Sequence, residues 1–180
     1  MFQATIGIHV RAPSLPLRRS LLGLVASAAL GCSSAAPPPP SAPSPLLSAT
    51  VPDFRRAALA HGEVDTRQLR GRVVVVKFFA KACEPCRRSL PAAERLHQRS
   101  PDVAFIGVGE DETQDETRDV VREHALSFPV VHDQGNVLSA RFRVREIPAT
   151  FVVDTKGVVR WVAPAEQDDD GLARAIEAAK

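Results

Sequence analysis

The stretch Val73–Pro91 constrains the fold of this chain more than any other. It opens with β-branched and aromatic residues through Phe79, a composition typical of a strand buried on both faces. Two cysteines follow, Cys83 and Cys86, and then a run with apolar residues at helical spacing. Pro85 lies between the cysteines and suits a helix only in its first turn, where the backbone amide has no intrahelical acceptor to lose. The sequence therefore predicts a strand that leads two thiols to the start of a helix.

Two thiols at a helix start favour thiol–disulfide exchange. Unpaired backbone N–H groups and the positive end of the helix dipole stabilise a thiolate at Cys83, which makes it the expected nucleophile. Cys86, one turn on, is placed to resolve the mixed disulfide. The alternatives are a structural disulfide and half of a zinc site, but zinc needs further ligands and the chain has only three cysteines. Haem attachment needs histidine where the chain has Arg87. We therefore expect a redox pair without metal or cofactor.

The segment KFFAKACEPCRRSLP resembles the active-site segment of thioredoxin-fold proteins, and its Cys-Glu-Pro-Cys motif is similar to that of TlpA/ResA-type membrane-tethered thiol–disulfide oxidoreductases. The resemblance covers about Ala49 to the C-terminus. It implies an α/β thioredoxin fold, in which helices flank a mixed central sheet and an N-terminal β-hairpin is added. It also implies that Glu84 and Pro85 support the catalytic cysteines.

A second segment, FRVREIPATFVVD, resembles the part of this family that places a cis-proline opposite the dithiol. A cis bond before proline costs only about 0.5–1 kcal/mol, so a fold can fix it. The resemblance implies that backbone groups of Ile147 pair with an extended substrate chain and that Pro148 lies beside the sulfur atoms. The alternative is a trans proline in a turn before a strand.

Three positions depart from the family pattern. Ala82 stands where tryptophan usually precedes the first cysteine, Lys77 replaces a buried acid or asparagine, and Ser89 replaces the glutamate of ResA-like proteins. A charged Lys77 near the sulfurs would stabilise the Cys83 thiolate; alternatively, Lys77 extends to the sheet edge and touches nothing redox-active. These departures weaken an assignment to cytochrome c maturation and leave the redox chemistry intact.

The N-terminus predicts export. Residues 1–31 contain three arginines and no acidic residue, and Leu21–Leu30 is an apolar run. This order is typical of a secretory signal, and the run is too short to span a bilayer. Ala-Leu-Gly-Cys resembles a bacterial lipobox, so residues 1–32 are interpreted as a signal peptide that ends in a lipidated Cys32. The alternative is an ordinary cleaved signal with Cys32 as an incidental free thiol. Lipidation would leave one dithiol and no spare cysteine.

Residues 33–50 are rich in proline, serine and alanine, and they include Pro37–Pro40. Such a segment favours polyproline II, so we expect a semi-rigid spacer between a membrane and the domain. A ligand for a proline-reading domain is the alternative. The formal net charge of +2 includes the three leader arginines, so the mature chain is close to neutral and suggests no nucleic-acid partner.

Residues 51–180 are expected to form the thioredoxin-like domain, because strand and helix patterns alternate there and Gly157 marks a closing hairpin. The acid-rich stretch 110–116 lies near a predicted helix start, where carboxylates suit the helix dipole and face solvent; cation binding is the alternative. The helix after it is expected to use His124 and Leu126 on its apolar face.

The predicted function is a thiol–disulfide oxidoreductase of the bacterial cell envelope, on the periplasmic side and lipid-anchored. We expect it to reduce disulfides in exported proteins, apocytochrome c among the candidates, and to receive electrons from a membrane donor. A peroxiredoxin-type peroxidase is one alternative, although it calls for threonine or serine where the chain has Ala80. The other is a non-catalytic thioredoxin-like binding module carried on the spacer.

Overall fold

The structure is a computed structural model that describes residues 39–60, 62–164 and 169–180. The predicted signal peptide, Cys32 and the first two prolines of the Pro37–Pro40 run lie outside the described residues. All the described residues belong to one compact unit of the chain.

The described elements alternate strand and helix, as the sequence patterns predict. The strands are β1 (Arg55–Ala57), β2 (Glu63–Asp65), β3 (Val74–Phe79), β4 (Ala104–Gly109), β5 (Val130–His132), β6 (Ala149–Val153) and β7 (Val159–Val162). The α-helices are α1 (Glu84–Arg99), α2 (Gln114–Glu123), α3 (Val137–Arg141) and α4 (Asp169–Ala178). Short 3-10 helices span Thr66–Leu69 and Gln134–Asn136.

Five strands form one mixed sheet in the order β5-β4-β3-β6-β7. β3 is central, and it pairs in parallel with β4 and antiparallel with β6. The two N-terminal strands, β1 and β2, form a separate antiparallel hairpin. This arrangement confirms the predicted thioredoxin fold with its N-terminal hairpin extension.

Both faces of the sheet are covered, because every residue of β3 is buried. Alternate side chains of β3 point to opposite faces. Val75 and Phe79 belong to a core that includes Cys86 of α1 and Leu172 of α4. Val76 and Phe78 belong to a second core, which includes residues of α3 and of the β-hairpin. The strand that precedes the dithiol therefore lies at the middle of the hydrophobic core.

The helix predicted to reach Leu126 ends earlier. α2 stops at Glu123, and Ala125 adopts a left-handed conformation with φ +48°. His124 is the capping residue, and Leu126 reaches the core from the following loop. The expectation that both side chains lie on a helix face is wrong, because the left-handed residue reverses the chain while leaving Leu126 buried.

The C-terminal part of the predicted linker is packed against the sheet. The side chain of Trp161 donates to the carbonyl of Pro40 at 2.9 Å, the Ala42 amide to Val162 at 2.8 Å and the Ser48 amide to Val159 at 2.8 Å. We call residues 40–50 the docked segment. The packed domain thus extends ahead of residue 51, because backbone pairing with β7 does not require apolar side chains.

Candidate active site

The two cysteines lie between the end of β3 and the first turn of α1. Cys83 is the N-cap residue, and its sulfur accepts a hydrogen bond from the backbone amide of Cys86 at 3.2 Å. The two sulfurs form a disulfide whose Cα atoms are 5.2 Å apart. Cys86 is completely buried, whereas Cys83 is half-buried. A disulfide of another protein can therefore approach Cys83 and not Cys86.

The loop before β6 closes over the dithiol. The Ile147–Pro148 peptide bond is cis, as the resemblance implies. The carbonyl oxygen of Ile147 lies 3.6 Å from the Cys83 sulfur, and both Ile147 and Pro148 are half-buried. The loop is held in place because Ala149, the first residue of β6, pairs with Phe78 of β3. The sulfur and the backbone of Ile147 are thus exposed to the same incoming chain.

Lys77 is buried in the central strand, with only 2% of its surface exposed. Its ammonium donates to the hydroxyl of Thr150 on β6 at 3.2 Å. It is two residues from both Val75 and Phe79, so it shares their face of β3, the face that α1 covers. Burial lowers the pKa of Lys77 to about 8. The alternative in which this side chain extends to the sheet edge is wrong, because β3 has strands on both sides.

The other predicted support residues are exposed. Ala82 leaves the approach to the disulfide open, and Pro85 occupies the first turn of α1. Glu84 starts the helix and faces Arg87 and Arg88, with nitrogen–oxygen distances of 3.9 and 3.5 Å. Such exposed ion pairs contribute little to stability. Nothing in these contacts ties Glu84 to the sulfurs.

Ser89 contacts the backbone of the dithiol instead of the solvent-facing entrance. Its hydroxyl donates to the carbonyl of Cys86 at 3.1 Å. The hydroxyl therefore satisfies a helix carbonyl, and it offers no carboxylate to a substrate or to a thiol.

Asp111 supports the active-site loop, a role that the sequence analysis missed. This carboxylate is only 9% exposed, and it accepts hydrogen bonds from the Lys81 amide at 2.7 Å and from the Thr117 hydroxyl at 2.9 Å. Its neighbour Glu110 is half-buried and has a raised pKa because of burial. The expectation of a solvated acidic cluster is wrong at these two positions. The sequence did contain a signal for this role: the two acids directly follow a predicted buried strand, β4, whose end lies beside the end of β3.

No described residues form a group of three or more histidine, cysteine or acidic side chains suited to a metal ion. Within the same ranges, no helix has the length and the apolar character to cross a membrane.

The fold and the geometry of the dithiol define the class of protein. A disulfide that caps the first turn of a helix, below a cis-proline loop and at the end of the central strand, is the arrangement of a thioredoxin-fold thiol–disulfide oxidoreductase. Residues 47–162 match the AhpC/TSA family, and the chain belongs to it.

Comparison with known proteins agrees with this class. The chain is 27% identical over 124 residues to the thiol-disulfide oxidoreductase ResA of Bacillus cereus, which covers 68% of this chain and 72% of that protein. It is 28% identical over 114 residues to the thioredoxin-like protein YneN of Bacillus subtilis, covering 61% and 66%. In fold it is similar to a secreted disulfide oxidoreductase of Mycobacterium tuberculosis homologous to DsbE of E. coli, with a TM-score of 0.65, 23% identity and coverage of 70% and 96%.

Proposed function

We propose that this protein is exported, tethered to a membrane, and reduces disulfide bonds in other exported proteins. The observation that carries the disulfide-exchange part of this proposal is the unequal burial of the two sulfurs. Cys83 is half-buried at the helix N-terminus, and Cys86 is fully buried behind it. An incoming protein can form a mixed disulfide with Cys83, and Cys86 is one helical turn away for the second step.

The reaction balances as two exchanges of one disulfide. In the reduced protein, the Cys83 thiolate attacks a sulfur of the substrate disulfide; a bond from Cys83 to the substrate forms, and the substrate's second sulfur leaves as a thiolate that takes up a proton. Cys86 then loses its proton and attacks Cys83, which releases the second substrate thiol. The substrate gains two electrons, and Cys83–Cys86 becomes the disulfide seen in the structure. A dithiol donor at the membrane restores the reduced pair.

Substrate trapping tests the roles of the two sulfurs. The variant Cys86→Ser lacks the resolving thiol, so we expect it to accumulate mixed disulfides with envelope proteins, visible on non-reducing gels and reversed by dithiothreitol. Cys83→Ser should accumulate almost none, because its remaining thiol is buried. Equal trapping by both variants contradicts the assignment. A non-catalytic module would trap nothing, although its alkylated mass would still change after reduction if the pair is accessible to dithiothreitol.

The reduction potential of the Cys83–Cys86 pair tests the direction of electron flow. Reductants such as thioredoxin have potentials of about −270 mV, whereas the oxidant DsbA has about −120 mV. We expect this pair to lie near the thioredoxin value in a glutathione titration. A value near that of DsbA would make the protein an oxidant. Parallel assay of hydrogen peroxide consumption tests the peroxidase alternative, for which Ala80 offers no hydroxyl beside Cys83.

The membrane tether rests on the basic, apolar and Gly-Cys order of the N-terminus. If Cys32 is lipidated, the wild-type protein should fractionate with membranes after export. Changing Cys32→Ser should move it to the soluble exported fraction, with dithiol activity unchanged. A wild-type protein that is already soluble after export would show that the lipid anchor is wrong.

A further inference from the structure

A cleft of about 670 Å³ extends from the cis-proline loop away from the dithiol. One wall is the docked segment, from Ala42 to Leu47, and the other is the turn from Arg143 to Pro148. The cleft ends at Pro148, one residue from Ile147, whose carbonyl lies 3.6 Å from the Cys83 sulfur. A chain lying in this cleft would therefore reach the disulfide.

Arg143 occupies a position in this wall that usually belongs to glycine. After α3, the Arg143 amide donates to the carbonyl of Ala140 at 3.2 Å and the Val144 amide to that of Ser139 at 2.9 Å. This pair of bonds is a Schellman turn, in which the residue at position 143 is commonly glycine because it must be left-handed. Arg143 has φ +55°, so its backbone is strained where glycine would not be. The turn itself gives no reason for arginine at this position, so we expect the arginine side chain to have a role of its own.

The arginines of this wall have no partner within the described residues. Arg143 and Arg145 are exposed and line the cleft, and neither makes an ion pair or a side-chain hydrogen bond among the residues described. By contrast, Arg141 donates to the backbone carbonyl of Asp53 at 2.6 Å. Glu146 is the one acidic residue that lines the cleft, so the wall carries an excess of positive charge.

The opposite wall is uncharged. The docked segment contains prolines and serines, and the side chain of Leu47 is 38% exposed. The chain's own N-terminal segment does not complement the arginines, because the first acidic residue of the sequence is Asp53. The charge complement must therefore come from another molecule.

We propose that this cleft binds an extended, acidic segment of the substrate protein next to its reducible disulfide, with Arg143 and Arg145 as the residues that set this preference. The proposal rests on the proposed function, since it names the substrate class of the same site. The carboxylates pair with the two arginines, apolar side chains contact Leu47 and the prolines, and the chain then passes Ile147 to the sulfur. Arg143 and Arg145 act by binding and take no part in electron transfer.

The test compares two short fluorescent peptides without cysteine, one acidic and one with serine at the acidic positions, binding to the oxidised full chain. We expect the acidic peptide to bind more tightly, with a preference that falls as salt is added. In the variant Arg143→Gly/Arg145→Gln, the preference should fall by about fivefold, as expected for the loss of two solvent-exposed ion pairs. Its thermal midpoint should not be lower on account of position 143, because glycine suits the left-handed turn.

The variant Arg56→Gln/Arg174→Gln is the matched control, since it removes two exposed arginines that do not line the cleft. It should keep the peptide preference. Equal binding of both peptides by the wild-type protein, or an equal loss in both double variants, overturns the proposal. So does a loss of binding to vesicles of anionic phospholipid with the peptide preference unchanged, because the arginines would then contact lipid.

The outcome is separable from that of the proposed function. The peptides contain no disulfide, so their binding does not depend on Cys83 or Cys86. If the protein reduces a model disulfide but does not prefer the acidic peptide, the cleft proposal alone is rejected. If it prefers the acidic peptide but does not reduce the model disulfide, the proposed function alone is rejected.

Discussion

Lys77 places a titratable group inside the core, on the α1-covered face of the central strand. Of its three N–H donors, one makes a hydrogen bond among the described residues, to the hydroxyl of Thr150. Burial disfavours the charged form, and it lowers the pKa from 10.5 to about 8. The folded protein therefore carries a charge near neutral pH that its surroundings do not compensate.

The variant Lys77→Met should stabilise the protein most at neutral and lower pH. Between pH 8 and 10.5 the unfolded chain holds the lysine proton and the folded chain releases it, so wild-type stability rises with pH in that window. Below pH 8 both states are charged, and the penalty is about 3 kcal/mol. At pH 7 the gain in the free energy of unfolding from methionine should approach that value, less about 1 kcal/mol for the lost hydrogen bond to Thr150. The gain should disappear near pH 10. Urea unfolding of the oxidised proteins measures it.

The same variant separates a redox role from a packing role. If the ammonium stabilises the Cys83 thiolate, thiolate absorbance in reduced Lys77→Met should appear at higher pH than in the wild type, and the pair should become more reducing. The variant Lys81→Met is a control, since Lys81 is exposed and already paired with Asp119 at 2.8 Å. Identical titrations for wild type and Lys77→Met would leave Lys77 as a packing residue only.

The sequence predicts residues of the site where the signal is local. Cys83 and Cys86 follow from a strand, a dithiol and a helix start within one segment. The hydrogen-bond partner of Lys77 could not be predicted, because Thr150 lies 73 residues further along the sequence. The role of Asp111 was missed because its partner, the Lys81 amide, is also remote in sequence. The local sequence around Asp111 does not distinguish a carboxylate that faces solvent from one that accepts this hydrogen bond.

Among the elements, α1 is the one that positions the dithiol, and a buried acid holds it to the rest of the domain. Glu94 is 7% exposed and accepts hydrogen bonds from the Ser127 amide at 2.9 Å and from the Gln98 side chain at 2.8 Å. Burial alone would raise the pKa of Glu94, but the bonds from Ser127 and Gln98 lower it below 4.5. The carboxylate thus connects the middle of α1 to the loop before β5.

Changing Glu94→Ala should lower the free energy of unfolding by about 2–3 kcal/mol at pH 7, because it leaves the Ser127 amide without its charged acceptor. The depressed pKa means that this contribution is complete above pH 4.5 and is lost as the pH falls through the folded pKa. Wild type and variant should therefore converge in stability in acid. Glu84→Ala, which removes an exposed acid from the same helix, should cost less than about 1 kcal/mol. Similar losses for the two variants would contradict the anchoring role.

Element boundaries follow the sequence where periodicity decides them, and they depart from it where one residue reverses the chain. The central strand is predicted as Val73–Phe79 and observed as Val74–Phe79. The end of α2 is not predictable from periodicity, because Leu126 is buried although the helix has already stopped. The left-handed Ala125 carries no sequence signal of the kind that glycine gives.

At the scale of the whole molecule, the docked segment closes the edge of the sheet. β7 is one of the two edge strands of the sheet, and without the docked segment its outer backbone groups would be open to unwanted pairing with other chains. Ala42 and Ser48 donate to β7, and the Val159 amide donates in return to Ala49 at 2.9 Å. Composition alone predicted a spacer here, since proline, serine and alanine bury little apolar area. Hydrogen bonds to an open edge form without such area, which is why composition did not reveal them.

A chain that begins at residue 51 should therefore be less stable than one that begins at residue 39. It loses several backbone hydrogen bonds to β7 and the packing of Leu46 on the core. At about 1 kcal/mol for each hydrogen bond, the free energy of unfolding should fall by about 3 kcal/mol or more. The chain has a single tryptophan, Trp161, which is 3% exposed and donates to the Pro40 carbonyl. Its fluorescence should shift to longer wavelength in the shorter chain. In the longer chain, Pro40→Ala keeps the carbonyl and should keep the wild-type emission. Equal urea midpoints and equal emission for the two chains would show that docking does not contribute to the fold.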